Sequence, residues 1–186
     1  MKYSHELKFE GKKINVLILC GGYGSRISNI TKKIPKPLIK IFNKPFLYYL
    51  IKNLTRYNFY NFYLLTHYRN NNFLSFKKKY EKNIGGSIKI IQEKIKLDTG
   101  GSVINAIKKI NNENDFLLIN GDTFLDVDYE NLYNDFKKKN SLLMFLIKSL
   151  KDSKKLNSMN IDNNGKIYFS KTKLMNSGVY FFKKEN

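Results

Sequence analysis

The chain has 186 residues, enough for one domain with a real core and too few for two independent ones. With 42% hydrophobic and 26% charged residues it is globular in composition, which excludes a disordered chain. The formal net charge of +19 raises the question of a polyanionic partner, yet only Arg26, Arg56 and Arg69 among the 34 basic residues are arginine, the best reader of phosphates and base edges. Lysine is here a solvated background, and no nucleic-acid partner is expected.

Residues 1–13 are polar and charged and read as an N-terminal extension, leaving 14–186 as a single domain. Ile14-Asn15-Val16-Leu17-Ile18-Leu19-Cys20 is a short apolar run of the kind buried on both faces of a parallel sheet, and Gly21-Gly22-Tyr23-Gly24-Ser25-Arg26 follows at once. Pro45 suits the first turn of a helix carrying Phe46, Leu47, Leu50, Ile51 and Leu54 at helical spacing. Further along, 59–66 reads as a strand, 69–82 as a polar helix, 87–91 as a strand, and 101–110 as an amphipathic helix. Asp115 to Asn120 is another buried strand, ending in Gly121-Asp122. A helix near 128–139, a strand near 141–148, and an Asp162-Asn163-Asn164-Gly165-Lys166 hairpin turn complete the pattern. Strand and helix alternate, so the expected fold is α/β, a Rossmann-like, mixed and mostly parallel sheet in three layers with helices on both faces.

No apolar run approaches the ~20 residues of a membrane span, and the N-terminus lacks the apolar stretch of a signal peptide. No membrane partner is expected, and the expected compartment is the cytoplasm. Cys20 is the single cysteine, which excludes an internal disulfide and a multi-thiolate metal site, and His5 and His67 are too few for a zinc cluster. Lys77 to Lys79 and Lys137 to Lys139 read as solvated helix faces.

A glycine cluster after a first apolar strand brings backbone N–H groups close to phosphate oxygens, because no Cβ obstructs the approach. Alone it reads equally well as a tight strand-to-helix turn, since it lacks both the last glycine of a dinucleotide fingerprint and the Gly-Lys-Ser/Thr ending of a P-loop. Arg26 and the Pro35-Lys36-Pro37-Leu38 segment shift the balance, because two prolines fix the backbone around one lysine.

Leu19 to Arg26, Ile34-Pro35-Lys36-Pro37-Leu38, Asn43-Lys44-Pro45-Phe46, Leu97-Asp98-Thr99-Gly100-Gly101 and Asn120-Gly121-Asp122 stand in the order and spacing of one family. The chain resembles the sugar-1-phosphate nucleotidyltransferases from about Ile14 to Phe182. It is most similar to their heptose-1-phosphate guanylyltransferase branch, especially across Ile34 to Leu50 and Asn120 to Asp126. The resemblance implies an enzyme that joins a nucleoside triphosphate and a sugar 1-phosphate, releases pyrophosphate, and uses Mg²⁺. The product would be an activated sugar for surface polysaccharide.

By the same resemblance Gly21, Gly22, Gly24 and Ser25 hold the triphosphate, Arg26 stabilises the leaving pyrophosphate, and Lys36 bridges the α-phosphate and the sugar phosphate. Asp122 is the catalytic carboxylate and the Mg²⁺ ligand, a hard oxygen donor at the carboxyl edge of the sheet. Asp126 and Asp128 are expected to start the following helix. Glu93 falls where the family faces the nucleobase, and a carboxylate there accepts both N1–H and the 2-amino group of guanine, which leans toward GTP. Thr99, Gly100 and Gly101 keep the family's nucleotide-binding pattern, whereas Asp98 stands where glycine is common. A carboxylate near a triphosphate repels it, so Asp98 either points away or weakens nucleotide binding.

Lys171, Asn176 and Gly178 fall where the family contacts the sugar and its phosphate. Ser170 replaces a glutamate there, Ser177 replaces a small residue, and Leu156 to Met159 lacks a Tyr-Gly pair. The family's second metal-binding aspartate comes from some tens of residues beyond the Asn176 to Tyr180 strand. That leaves a fragment, a ligand donated by another subunit, or a shortened homologue that binds nucleotide or nucleotide sugar without turnover as a regulatory or partner subunit. A homo-oligomer is left open.

Overall fold

In the computed structural model, residues 14–23, 33–110, 115–149, 159–164, 166–169 and 174–184 are described. Strand β1 (Asn15–Leu19) lies in the middle of a parallel group, between β4 (Asn61–Thr66) and β6 (Phe116–Asn120), with β5 (Ser87–Gln92) beyond β4. Its register pairs Ile18 with Leu64 on one side and Ile119 on the other. A central parallel strand is covered on both faces by helices, which is why its sequence is a continuous apolar run instead of an alternating one.

The side chains still divide by parity. Val16 and Ile18 join Phe62, Leu64, Leu117 and Ile119 in one apolar layer, whereas Leu17 joins Tyr63, Leu65, Phe116 and Leu118 in the other. The first layer is covered by α1 (Phe46–Thr55), α2 (Asn70–Ile84) and α4 (Tyr129–Lys138), which contribute Leu47, Leu50, Ile51, Phe73, Phe76, Tyr129 and Phe136. The second is covered by α3 (Asp98–Lys109), through Ala106 with Val103 and Ile107. Helices therefore lie on both faces, as the alternation of elements predicts.

The right-hand part of the sheet is antiparallel. Strand β10 (Leu174–Phe182) pairs with β6, with Val179 opposite Ile119, and also with β7 (Leu143–Ser149) and β8 (Met159–Ile161). The β8 strand and β9 (Ile167–Phe169) form the hairpin read from Asp162 to Lys166, closed by a bond from Asp162 N–H to Lys166 O at 3.1 Å.

Two local features differ from expectation. Helix α3 begins at Asp98, three positions before the predicted start at Gly101, because its glycines occupy the first turn and Ser102 Oγ bonds back to Asp98 O at 2.6 Å. A small antiparallel pair, β2 (Lys40–Ile41) and β3 (Lys44–Pro45), was not legible, being only two residues a side and turned through Phe42 at φ 56°.

Asp128 does start α4: its Oδ1 accepts from Glu130 N–H at 3.0 Å and Asn131 N–H at 3.1 Å. Asp128→Ala is expected to cost about 1 kcal/mol of unfolding free energy, read as a lower urea midpoint at unchanged m-value.

Candidate active site

The four parallel strands, in the order β5, β4, β1, β6, deliver their C-terminal ends to one edge of the sheet. Glu93 follows β5, His67 follows β4, the Cys20 to Tyr23 segment follows β1, and Gly121-Asp122 follows β6. From β1 the chain works outward through β4 and β5, then returns to the opposite side of β1 at β6. Such a reversal of strand order opens a crevice between neighbouring strand ends, the usual ligand position in an open α/β sheet.

At that reversal the β6 end closes tightly on β1. Gly121 N–H donates to Leu19 O at 2.9 Å, and a Cβ on Gly121 would stand 2.7 Å from the same oxygen and 3.2 Å from Pro37 Cγ. Only a residue without a side chain lets the three segments meet. Pro37 belongs to a single 3₁₀ turn, Lys36–Leu38, closed by Leu38 N–H to Pro35 O at 2.8 Å. The turn aims Lys36 across the crevice, where Nζ donates to Asp122 Oδ2 at 2.5 Å. With side chains 43% and 37% exposed, the pair is open to an incoming ligand.

Beneath it, Cys20 is buried, and loss of solvation together with the nearby Asp122 carboxylate pushes its thiol far above the usual range.

A second cluster gathers around Glu93. Its backbone N–H extends the β4–β5 pairing by donating to Thr66 O at 2.7 Å, while its side chain is only 4% exposed. Carboxylate oxygen Oε1 is buried without a hydrogen-bond partner, and a Cβ placed on Gly21 would stand 3.7 Å from Oε2. His67 bridges this cluster to the glycine loop, with Nδ1 3.1 Å from Glu93 O and Nε2 3.1 Å from Tyr23 Oη.

On the antiparallel side, Gly178 has φ 76°, and a Cβ there would fall 2.3 Å from Asn120 Nδ2, so β10 touches the β6 end two residues before Asp122. Asn176 is spent within its own strand, accepting from Gly178 N–H at 2.8 Å and donating to Tyr180 Oη at 2.7 Å. Ser177 Oγ donates to Leu146 O at 2.8 Å and so ties the bulged part of β10 to β7.

Of the residues singled out by sequence, Gly21, Gly22, Glu93 and Asp122 lie at the strand ends, Lys36 reaches Asp122 from its 3₁₀ turn, and Thr99, Gly100 and Gly101 form the first turn of α3. Asn176 and Gly178 lie on β10. Gly24, Ser25, Arg26 and Lys171 lie outside the described residues. Asp98 adopts φ 54°, a left-handed conformation that explains the glycine common at this position, and its 80% exposed carboxylate pairs with Lys96 Nζ at 3.0 Å. Sequence reasoning missed Tyr23 and His67 as partners in the site. The available signal was a polar ring directly after one strand and another within the glycine segment that follows its neighbour.

A glycine loop after the first strand, a strand-order reversal, and a lysine and carboxylate meeting across it define an α/β protein built to hold an anionic ligand at its carboxyl edge. Residues 15–186 match the nucleotidyl transferase family, and the chain belongs to that family, whose reaction is nucleotidyl transfer. It is 32% identical over 180 residues to the D-glycero-alpha-D-manno-heptose 1-phosphate guanylyltransferase of Campylobacter jejuni, covering 92% of this chain and 77% of that one. To the protein of the same name from Aneurinibacillus thermoaerophilus it is 29% identical, over 92% of this chain and 75% of the relative. The crystal structure of HddC from Yersinia pseudotuberculosis complexed with GMP-PN superposes with a TM-score of 0.78 at 29% identity, covering 91% of this chain and 76% of that one. No helix among the described residues is long and apolar enough to cross a membrane.

The burial of Cys20 gives a direct test of the closed strand ends. At pH 8 the native protein is expected to leave a thiol-reactive disulfide reagent unconsumed, whereas the urea-unfolded chain reacts with one equivalent. Rapid reaction of the native thiol would show that the β1 and β6 ends part readily.

Proposed function

We propose that the chain transfers a guanylyl group from GTP to a sugar 1-phosphate, a heptose 1-phosphate in the first instance, giving a GDP-sugar and pyrophosphate. The observation that carries the choice of base is the buried Glu93 carboxylate with an oxygen left without a partner beside the glycine loop. A buried acceptor without a donor costs about 1–3 kcal/mol, so it persists where a ligand completes it. Guanine offers N1–H and its 2-amino group side by side, a matched pair of donors for one carboxylate; uracil offers a single N–H flanked by carbonyl oxygens. The two guanylyltransferase relatives support the same base.

In the proposed reaction an oxygen of the sugar phosphate attacks the α-phosphorus, a new P–O bond forms, and the bond from the α-phosphorus to the bridging oxygen breaks, with its electrons leaving on pyrophosphate. Catalysis then consists mainly of bringing two anions together and neutralising charge. Lys36 suits this role because its rigid Pro-Lys-Pro turn already delivers the ammonium to the crevice. Gly21, Gly22, Gly24 and Ser25 would line the triphosphate, with Arg26 toward the leaving pyrophosphate and Thr99, Gly100 and Gly101 at the nucleotide. Lys171 and the Asn176 to Gly178 segment would face the sugar side.

Among the described residues no group of three His, Cys, Asp or Glu side chains could hold a metal by itself. A single half-exposed carboxylate nevertheless suits Mg²⁺, which takes one or two protein oxygens and completes its shell with phosphates and water. Asp122 would hold the ion, which when bound neutralises charge on the phosphates. The proposed substrates are metabolites of the cytoplasm, which supports that compartment.

Measuring pyrophosphate release with each NTP, a panel of sugar 1-phosphates and Mg²⁺ tests the proposal. GTP is expected to be preferred, and Glu93→Gln to lower kcat/KM for GTP at least about tenfold by removing one charge-assisted bond. Lys36→Ala and Asp122→Ala are expected to lower kcat by about 10²–10³ with native circular dichroism retained. Absence of turnover with every pair, together with unchanged nucleotide affinity in both variants, would refute the assignment.

Asp98→Gly supplies an independent check: it removes a carboxylate near the proposed triphosphate and relieves the left-handed backbone. KM for GTP is expected to fall severalfold, with unfolding free energy changed by less than about 1 kcal/mol. An unchanged KM would show that Asp98 lies too far from the phosphates to matter.

A further inference from the structure

We propose that His67 is a positioning residue for nucleobase recognition: its ring joins the glycine loop to the strand end that carries Glu93, so that the two move as one unit. The proposal rests on the guanine reading of Glu93 given above. His67 follows β4, the strand between β1 and β5, and so stands midway between the segment that would hold the triphosphate and the carboxylate that would read the base.

Its hydrogen bonds define a direction. The Glu93 carbonyl can only accept, so the bond at 3.1 Å places a proton on Nδ1. In the neutral ring that leaves Nε2 as an acceptor, and the Tyr23 hydroxyl donates to it at 3.1 Å. One tautomer therefore serves both links. Gly21 stands beside both residues: a Cβ there would come into ordinary van der Waals contact with His67 Cβ at 3.5 Å and Glu93 Oε2 at 3.7 Å. Tyr23 meets the His67 ring edge-on at 5.9 Å between centroids and the Tyr68 ring at 5.3 Å, which holds the loop's aromatic residue over the bridge while leaving it 48% exposed.

Such a bridge acts on binding more than on chemistry. The reacting groups assigned above, Lys36 and Asp122, stand across the β1–β6 crevice, whereas His67 is hydrogen-bonded to Tyr23 and Glu93. Loss of His67 should therefore loosen the nucleobase end of the ligand and blur the distinction between bases. It should affect the step at phosphorus much less.

The two links can be cut separately. An asparagine at 67 reproduces the Nδ1 donor to Glu93 O and falls short of Tyr23, while Tyr23→Phe removes only the hydroxyl and keeps the ring contacts. The experiment measures Kd for GTP and for UTP by calorimetry, and kcat at saturating nucleotide, in wild type, His67→Ala, His67→Asn, Tyr23→Phe and the His67→Ala/Tyr23→Phe double variant. Expected are an approximately tenfold rise in Kd for GTP in His67→Ala, a smaller one for UTP, and a kcat changed by less than about threefold. His67→Asn, which keeps the Glu93 link and loses the Tyr23 link, should match Tyr23→Phe in its loss of the GTP-over-UTP preference, and the double variant should be no weaker than His67→Ala alone, because both changes cut the same bridge.

The proposal is overturned if His67→Ala weakens GTP and UTP equally, if kcat falls while Kd holds, if His67→Asn or Tyr23→Phe keeps the full wild-type preference, or if the double variant is additive. Tyr23→Phe keeps the test open should His67→Ala not fold, since a conservative change at a half-exposed ring must still raise Kd. Failure of the guanine reading is seen separately, as a wild type that prefers another NTP or a Glu93→Gln variant with unaltered preference. The same comparisons of Kd and kcat on the preferred nucleotide then decide the role of His67. A wild type that binds no nucleotide overturns both.

Discussion

Gly121 has no room for a side chain, and the geometry of the crevice follows from that constraint. Its N–H is bonded to the last carbonyl of β1, its α-carbon lies against Pro37, and its neighbour Asp122 meets Lys36. Residues 86 positions apart in sequence are thereby placed within hydrogen-bonding distance without either side chain having to find the other through a flexible loop. The rigid elements on both sides, a proline-flanked turn and the end of a buried strand, hold the charges in place. The entropy of bringing them together is met during folding.

The strand ends divide the work between two neighbouring clusters. On the proposed reading, the β1–β6 crevice handles phosphorus chemistry through Lys36 and Asp122, while the β4 and β5 ends handle the base through Glu93 and His67. The glycine segment after β1 starts between the two, because β1 stands between β4 and β6.

The parallel core was legible because β1, β4 and β6 are short, largely apolar runs, β5 alternates polar and apolar residues, and helical spacing returns after each. The helix over 46–55 and the cap at Asp128 follow from local chemistry alone. The start of α3 was placed too late because Gly100 and Gly101 resemble a breaker, whereas within a first turn their lack of side chain costs little. Family-like motifs located Lys36, Glu93 and Asp122, and the structure supplied what no motif contains, namely which of them touch. The bridge through His67 was not legible, since a lone histidine after a strand is compatible with many roles until its two ring nitrogens are seen to have different partners. The engagement of Asn176 within its own strand was equally hidden, because it depends on a bulge whose register is set by β7.

The ion pair between Lys36 and Asp122 has a further consequence for how the crevice discriminates among the many anions a cell contains. The Asp122 carboxylate holds the Lys36 ammonium, so on the proposed reading it competes with a ligand phosphate for that charge. A lone inorganic phosphate can replace the carboxylate on Lys36 only by leaving Asp122 without a counter-charge, an exchange with little net gain. A triphosphate accompanied by its own divalent cation supplies a substitute for each partner at once. On the proposed reading the pair would therefore favour a charge-balanced ligand over lone small anions before any base or sugar is read.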